Sequence, residues 1–157
     1  MKDISTLKLK LQKIEKNVVK ELIKAQRTTA YDVGLDVRKL APKDTGRYAD
    51  SIKVSNTEVD GMTIKTKIYT DAVVVSSKKK RYNLGYLLET GTSPHIIEPV
   101  YAPMLHFLVD GKDVYAKLVH HPGFVAMPHF EPALNANKYR YKQNIKEAIR
   151  RSFKWMS

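Results

Sequence analysis

A chain of 157 residues with 28 Lys and Arg against 16 Asp and Glu carries a formal charge of +12. Such a balance points to an acidic partner (nucleic acid, a lipid surface or an acidic protein), although lysines on solvated helix faces also serve solubility. The lack of cysteine excludes disulfides and thiolate metal sites, and no apolar run is long enough to span a bilayer.

From Ser5 to Leu40, Leu7, Leu11, Ile14, Val18, Leu22, Ala25, Thr29, Val33, Val37 and Leu40 recur at three- and four-residue steps, which predicts one helical face. Asp3 and Ser5 are candidate caps, Arg38 and Lys39 complement the dipole at the far end, and Pro42 stops the helix at Ala41. A continuous helix would run about 54 Å at about 1.5 Å per residue, longer than a compact domain of this size is wide. Either it breaks near Thr28, Thr29 and Gly34, or part of its stripe packs on a neighbouring subunit. The second reading is preferred, with a bend allowed.

Pro42-Lys43-Asp44-Thr45-Gly46 reads as a turn in which Asp44 or Thr45 caps a short helical piece through Ser51. Ile52–Ser55 reads as a strand, and Asp60-Gly61 as the next turn. Met62, Ile64, Thr66 and Ile68 alternate with Thr63, Lys65, Lys67 and Tyr69 in a half-buried strand. Asp71–Val75 is a further strand candidate. Ser76-Ser77-Lys78-Lys79-Lys80-Arg81 is a cationic loop, read chiefly as a solvated tip and secondarily as an electrostatic contact.

Tyr82–Leu88 is ambiguous between helix and strand. Glu89-Thr90-Gly91-Thr92-Ser93-Pro94-His95 and its echo at Gly123–Leu134 join Gly and Pro to apolar and aromatic residues, which makes stiff, sharply shaped loops. The Asp110-Gly111 hairpin between Leu105–Val109 and Val114–Val119 lies between them and can bring both loops to one end of a sheet. Pro132 sits in the first turn of a last helix, whose predicted buried stripe is Leu134, Tyr141, Ile145, Ala148, Ile149 and Phe153. Its outer face is cationic, with Lys138, Arg140, Lys142, Lys146, Arg150, Arg151 and Lys154 against Glu147.

Several chemistries were weighed. Asp44-Thr45-Gly46 is the core of the aspartic-protease signature, whose paired carboxylates share a proton. Here it follows a helix-stopping Pro42-Lys43 and precedes Arg47, which would hold a lone carboxylate ionised, so a turn is the better account. His95, His106, His120, His121 and His129 lack the local spacing of a zinc site. Glu89 reads as a carboxylate bonding nearby backbone donors or a neighbouring cation, not as a catalytic acid. Phosphate loops and nucleophile elbows are missing. Tyrosines beside basic residues suit single-stranded nucleic acid and protein interfaces alike. No enzyme, cofactor or metal is expected. The Met1–Ser5 start lacks an apolar signal core, which fits synthesis in a cytoplasm.

The order Ala41-Pro42-x-Asp44-Thr45-Gly46-Arg47-x-x-x-Ser51-Ile52, then Tyr86–Thr92, then Pro128-His129-Phe130-Glu131-Pro132-Ala133-Leu134, resembles the HK97-type family of small phage tail components. Pro94–Ile97 and His121–Gly123 fit the same pattern, and the resemblance spans roughly residues 30 to 150. Met127 and His129-Phe130-Glu131 stand where many relatives have a small or polar residue followed by Pro-Phe-Leu or Pro-Phe-Arg.

The resemblance implies a structural virion protein that completes the tail of a long-tailed bacteriophage and joins it to the head at the neck. It implies a ring homo-oligomer, a hexamer or alternatively a dodecamer, made in the host cytoplasm and carried in the virion without a membrane. Partners would be a head connector or head-closure protein on one side and a tail terminator or tail tube protein on the other, with packaged DNA as a further contact. The expected architecture is a single α+β domain: a helix over 1–41, an antiparallel β-sheet with loops over 42–130, and a basic helix over 131–157. Expected partner-binding residues are Lys78, Lys79, Lys80, Arg81, Gly91, Thr92, Pro94, His95, Pro122, Gly123 and Phe130. Lys138, Arg140, Lys142, Arg150 and Arg151 are candidates for an acidic partner or DNA. A basic nucleic-acid-binding protein is the alternative.

Overall fold

The computed structural model describes residues 4–76 and 79–154, with side chains from Lys8 onward. Helix α1 runs unbroken over Ile4–Leu40, and helix α4 over Phe130–Phe153. The two lie antiparallel, as three cross-links along their length show. Asn137 donates to Asp36 at 2.8 Å, Asn144 to Thr29 at 2.9 Å and Arg151 to Glu21 at 3.1 Å. The shared seam is made of small residues: Ala25, Thr29, Ala30, Val33 and Val37 on α1 meet Ala133, Asn137, Ala148 and Ser152 on α4. Short side chains let the two backbones approach closely, and the polar ones are paired, so burying them costs little.

This seam corrects the expected stripe of α4. Ala148 is buried and Ile145 half-buried, but Leu134, Tyr141, Ile149 and Phe153 are exposed, Leu134 by 53%. The helix packs its small and amide side chains on α1. Leu134 and Tyr141 line an open cleft of about 420 Å³ with α1 and Ile68, while Ile149 and Phe153 stand exposed. The α1 stripe is buried from Ala25 to Val37, while Leu11 at 57% exposure and Leu40 at 52% stand free.

The weak helix formers of α1 do not break it. Thr29 is buried against Asn144, and Gly34 marks a close approach: a Cβ there would stand 2.6 Å from Val54 Cγ2. Gly34→Ala should therefore destabilise the fold by about 1 kcal/mol, because overpacking outweighs the roughly 1 kcal/mol helix-propensity gain. Urea denaturation checks this, and adding Val54→Ala should return most of the loss. Arg38, expected at the dipole end of α1, instead donates through Nε (3.0 Å) and an η nitrogen (2.6 Å) to the Ile52 carbonyl, tying the helix to the first strand.

After α1 the corner differs from expectation. Helix α2 (Arg47–Asp50) has no side-chain cap. Gly46, at φ 79°, occupies the cap position and makes the turn from backbone alone, while Thr45 Oγ1 accepts from Arg47.

Among the described residues, ten short strands follow in five antiparallel two-stranded ladders. β1 (Ile52–Val54) pairs with β4 (Ile68–Thr70), and β2 (Glu58–Asp60) with β3 (Thr63–Lys65). β5 (Val73–Val75) pairs with β6 (Arg81–Asn83), β7 (His95–Ile97) with β10 (Val119–His121), and β8 (Leu105–Val109) with β9 (Lys112–Ala116). The strand expected over Met62–Tyr69 is thus two strands, and Met62 is fully exposed in the Gly61 turn. A Ser55–Lys67 backbone bond and a Thr57–Thr66 hydroxyl pair bridge the break. The return strand after Asp110-Gly111 likewise breaks at Lys117-Leu118. Both turn residues have positive φ, 50° and 75°, the geometry a two-residue hairpin needs.

The ambiguous segment divides. Tyr82 lies in β6, and helix α3 covers Leu84–Thr90, capped by Asn83, whose side chain accepts from Tyr86 N at 3.0 Å. The core is small. Val33, Val37, Ala41, Ile52 and Ala133 form its buried centre, with Tyr48, Ala49, Ile68 and Phe130 against it.

Candidate functional site

The two Gly/Pro loops meet. Thr92 and Phe124 exchange backbone hydrogen bonds at 3.0 and 3.2 Å, and Met127 N donates to Leu88 O at 2.7 Å. Both glycines are required by this junction. Gly91 has φ 72°, and a Cβ there would fall 2.7 Å from Phe124 O. Gly123 has φ 78°, and a Cβ there would land on the Thr92 carbonyl oxygen. Beyond the junction β7 and β10 continue the pairing, with His95 opposite His121 and their rings stacked at 4.9 Å. His95 Nδ1 donates to Ser93 O, and His121 Nδ1 accepts from Gly123 N, so each imidazole braces its own loop.

Behind the junction Glu89 holds the start of α4. Its carboxylate accepts from the backbone N–H groups of His129 (2.9 Å), Phe130 (3.1 Å) and Glu131 (3.0 Å). These are donors that a helix N-terminus leaves without partners, and the dipole there favours an anion. The expected reading of Glu89 as an acceptor of backbone donors holds. Partial burial pushes its pKa up, but the three N–H groups and His129 more than offset that, and the net shift is downward.

His129 is fully buried. Its Nδ1 donates to Met127 O at 2.8 Å and lies 3.2 Å from Glu89. A carbonyl only accepts, so Nδ1 carries the proton, and Nε2 accepts from the Tyr48 hydroxyl at 2.6 Å. Burial, with the Glu89 charge behind it, pushes the Tyr48 phenol up to about 12, which keeps that proton in place. Tyr48→Phe should leave Nε2 buried and unpaired and cost about 1–2 kcal/mol, read as a fall in thermal midpoint of a few degrees.

Sequence reasoning placed His129 in a loop and missed this knot. Its partners lie 40 and 81 residues away, and no local spacing announces them. The visible signal was the departure at His129-Phe130-Glu131 from the related pattern.

The remaining candidates fall in three places. Lys79 (φ 57°) sits in the turn between β5 and β6, its Nζ 5.4 Å over the Tyr101 ring, and Arg81 belongs to β6. Lys78 lies outside the described residues. Lys80 lines an open groove of about 890 Å³ between the β5–β6 and β7–β10 ladders, together with Val74, Tyr82, Ile96, His121 and Phe124. Pro94 and Pro122 are exposed at its rim, whereas Phe130 packs on the core.

On α4 the cations divide. Arg140 lies within 4 Å of Asp32 and Asp36 and bonds Asn137, and Arg151 pairs with Glu21 and Glu147, so both serve the helix seam. Lys138, Lys142, Lys146 and Arg150 are exposed and form no ion pair with described residues. Spaced by four, they make one ridge along the helix, beginning at the cleft that Lys138 lines with α1. Among the described residues no group of three or more His, Asp or Glu is placed to hold a metal, and no helix is long and apolar enough to cross a membrane.

The accessible surface is 12368 Å², about half as much again as the roughly 8,000 Å² expected of a compact monomer of this mass. Val73, Val74, Val75, Tyr82, Ile96, Tyr101, Leu108 and Tyr115 are among the large apolar residues left exposed. This is a chain shaped for contact with other polypeptides. A family model described as "Bacteriophage HK97-gp10, putative tail-component" matches residues 5–91, more than half of the sequence, and the chain belongs to that family of phage tail components. The matched segment carries the Ala41–Ile52 and Tyr86–Gly91 motifs, whereas Pro128–Leu134 lies beyond it. The searches of curated proteins and of solved structures returned no match.

Proposed function

We propose that this tail component completes the tail and joins it to the head, acting as a closed ring of identical copies at the neck and catalysing no reaction. The observation that carries the reading is the surplus of accessible surface, much of it apolar, on a chain whose own core is small. Isolated monomers rarely leave such surface uncovered, and identical copies cover it most economically by cyclic symmetry. In this reading the exposed Leu11 end of α1 and the Leu134, Tyr141 and Phe153 side chains of α4 are covered by neighbours in the neck. The junction of the Gly/Pro loops presents Pro94, His95 and Pro122 to the head connector or the tail terminator.

The ridge of Lys138, Lys142, Lys146 and Arg150 faces an acidic surface, with packaged DNA as the strongest candidate. Like charges at four-residue steps weaken a helix by a few tenths of a kcal/mol per pair, a cost that a polyanion removes. Replacing all four by Gln should lower joining of heads to tails at low salt and matter less as salt rises. Joining that is equal to wild type at every ionic strength removes that contact. For the function itself, infected cells lacking this protein should accumulate filled heads beside unattached tails. Intact, infectious particles in those cells would overturn the assignment.

A further inference from the structure

The hairpin formed by β8 and β9 is an arm without a seat in its own chain. Neither strand packs substantially on any element but the other. The register puts Leu105, Phe107, Val109, Lys112, Val114 and Ala116 on one face, an apolar strip with Phe107 and Val109 exposed that ends in Lys112 at the tip. The opposite face is mixed, with His106 bonded to Asp113 and stacked on Tyr115, beside an exposed Leu108. A lone two-stranded hairpin is at best marginally stable in water and needs a third strand or a packing surface.

A surface of matching chemistry lies at the base of the same arm. The groove between the β5–β6 and β7–β10 ladders is floored by Val74, Tyr82, Ile96 and Phe124. Each of those ladders has only two strands, so each keeps outer edges with unpaired backbone groups. The charged residues lining the groove include Lys80 and Glu98, and the arm tip carries Asp110 and Lys112, both exposed and without an ion pair among the described residues. Apolar strip meets apolar floor, and the Asp110 and Lys112 of the tip are opposite in sign to the Lys80 and Glu98 of the groove.

We infer that the β8–β9 arm of one copy lies in the β5–β6/β7–β10 groove of the next, with Asp110 against Lys80 and Lys112 against Glu98. Donor and acceptor are different surfaces of one chain, so the contact is head-to-tail and propagates around a ring. Arm and groove together supply the two faces that each member of a ring must offer. This inference rests on self-association but specifies its contact, and the two can fail separately.

The test uses the cysteine-free background. Val109→Cys and Ile96→Cys are combined in one full-length chain, treated with a short bifunctional maleimide in the purified protein and in assembled virions. A ladder of covalently linked copies is expected, and neither single substitution should give one. A second measurement needs no variant: carbodiimide coupling of mixed light and isotope-heavy wild-type chains should link Asp110 to Lys80 or Glu98 to Lys112 between copies. Native mass spectrometry of the same samples reports the copy number. Oligomers with neither cross-link overturn the arm contact and leave the ring reading standing. A single copy per particle overturns both. Attachment of Ile96→Cys to a different virion protein also overturns the arm contact, because the groove then belongs to that partner.

Discussion

Glu89→Ala should lower the stability of the fold by about 4 kcal/mol, the largest effect of any single substitution outside the apolar core. Three backbone donors at the start of α4 share its carboxylate, and bonds to a charged acceptor contribute about 1.5–3 kcal/mol each before overlap is discounted. With the carboxylate gone, those donors lose their acceptor, while His129 Nδ1 keeps only Met127 O. Glu89→Gln, which keeps one acceptor oxygen but no charge, should cost about 2 kcal/mol. Guanidinium denaturation measures both, and α4 amides should lose hydrogen-exchange protection first. Equal stability of Glu89→Ala and wild type would mean that α4 is held by its seam with α1 alone.

The same carboxylate sets an acid limb. Its folded pKa lies below the ordinary 4.5, so the stability it adds is fully present above that value. It is lost as pH falls through the lowered folded value. The gap between wild type and Glu89→Gln should therefore be constant near neutrality and close on acidification below 4.5. A gap that widened in acid would contradict the linkage.

Gly123→Ala should be the second most damaging change. The added Cβ would collide with the Thr92 carbonyl oxygen and lie 2.8 Å from the Ser93 carbonyl carbon, at a φ of 78° that side chains resist. Backbone strain alone costs about 1–3 kcal/mol, and the collision forces the two loops apart. The expected outcome is a loss of about 3 kcal/mol or more with loss of head–tail joining, while the α1–α4 seam stays folded by helical circular dichroism. Gly91→Ala should behave alike, since it meets Phe124 O and Ala126 N. Gly61→Ala, also at positive φ but in open space, should cost only about 1 kcal/mol and serves as the control. Joining that survives Gly123→Ala at full stability would detach the loop junction from function.

What the sequence disclosed follows from where the causes are local. The α1 stripe, the stop at Pro42, the Asp110-Gly111 hairpin and Pro132 in the first turn of the last helix all depend on near neighbours in the chain. The meeting of the Gly91 and Gly123 loops was foreseeable because an intervening hairpin returns the chain to its starting point. The face of α4 was misread because large apolar residues were taken as the buried ones, whereas the seam with α1 selects small side chains and paired amides. Leu134 and Tyr141 instead line an open cleft beside that seam, and Phe153 stays exposed. The Glu89–His129–Tyr48 knot was hidden because each partner is ordinary in its own segment and meaningful only once α2, α3 and α4 are brought together.

Cryo-electron microscopy of intact virions addresses the central claim most directly, because it reads location, copy number and covered surface at once. The account predicts a closed ring of this chain at the neck, with density over the β5–β6 groove, the β8–β9 arm and the exposed apolar residues of α4. A neck built without this chain, or copies there whose apolar surfaces remain open to solvent, would contradict it.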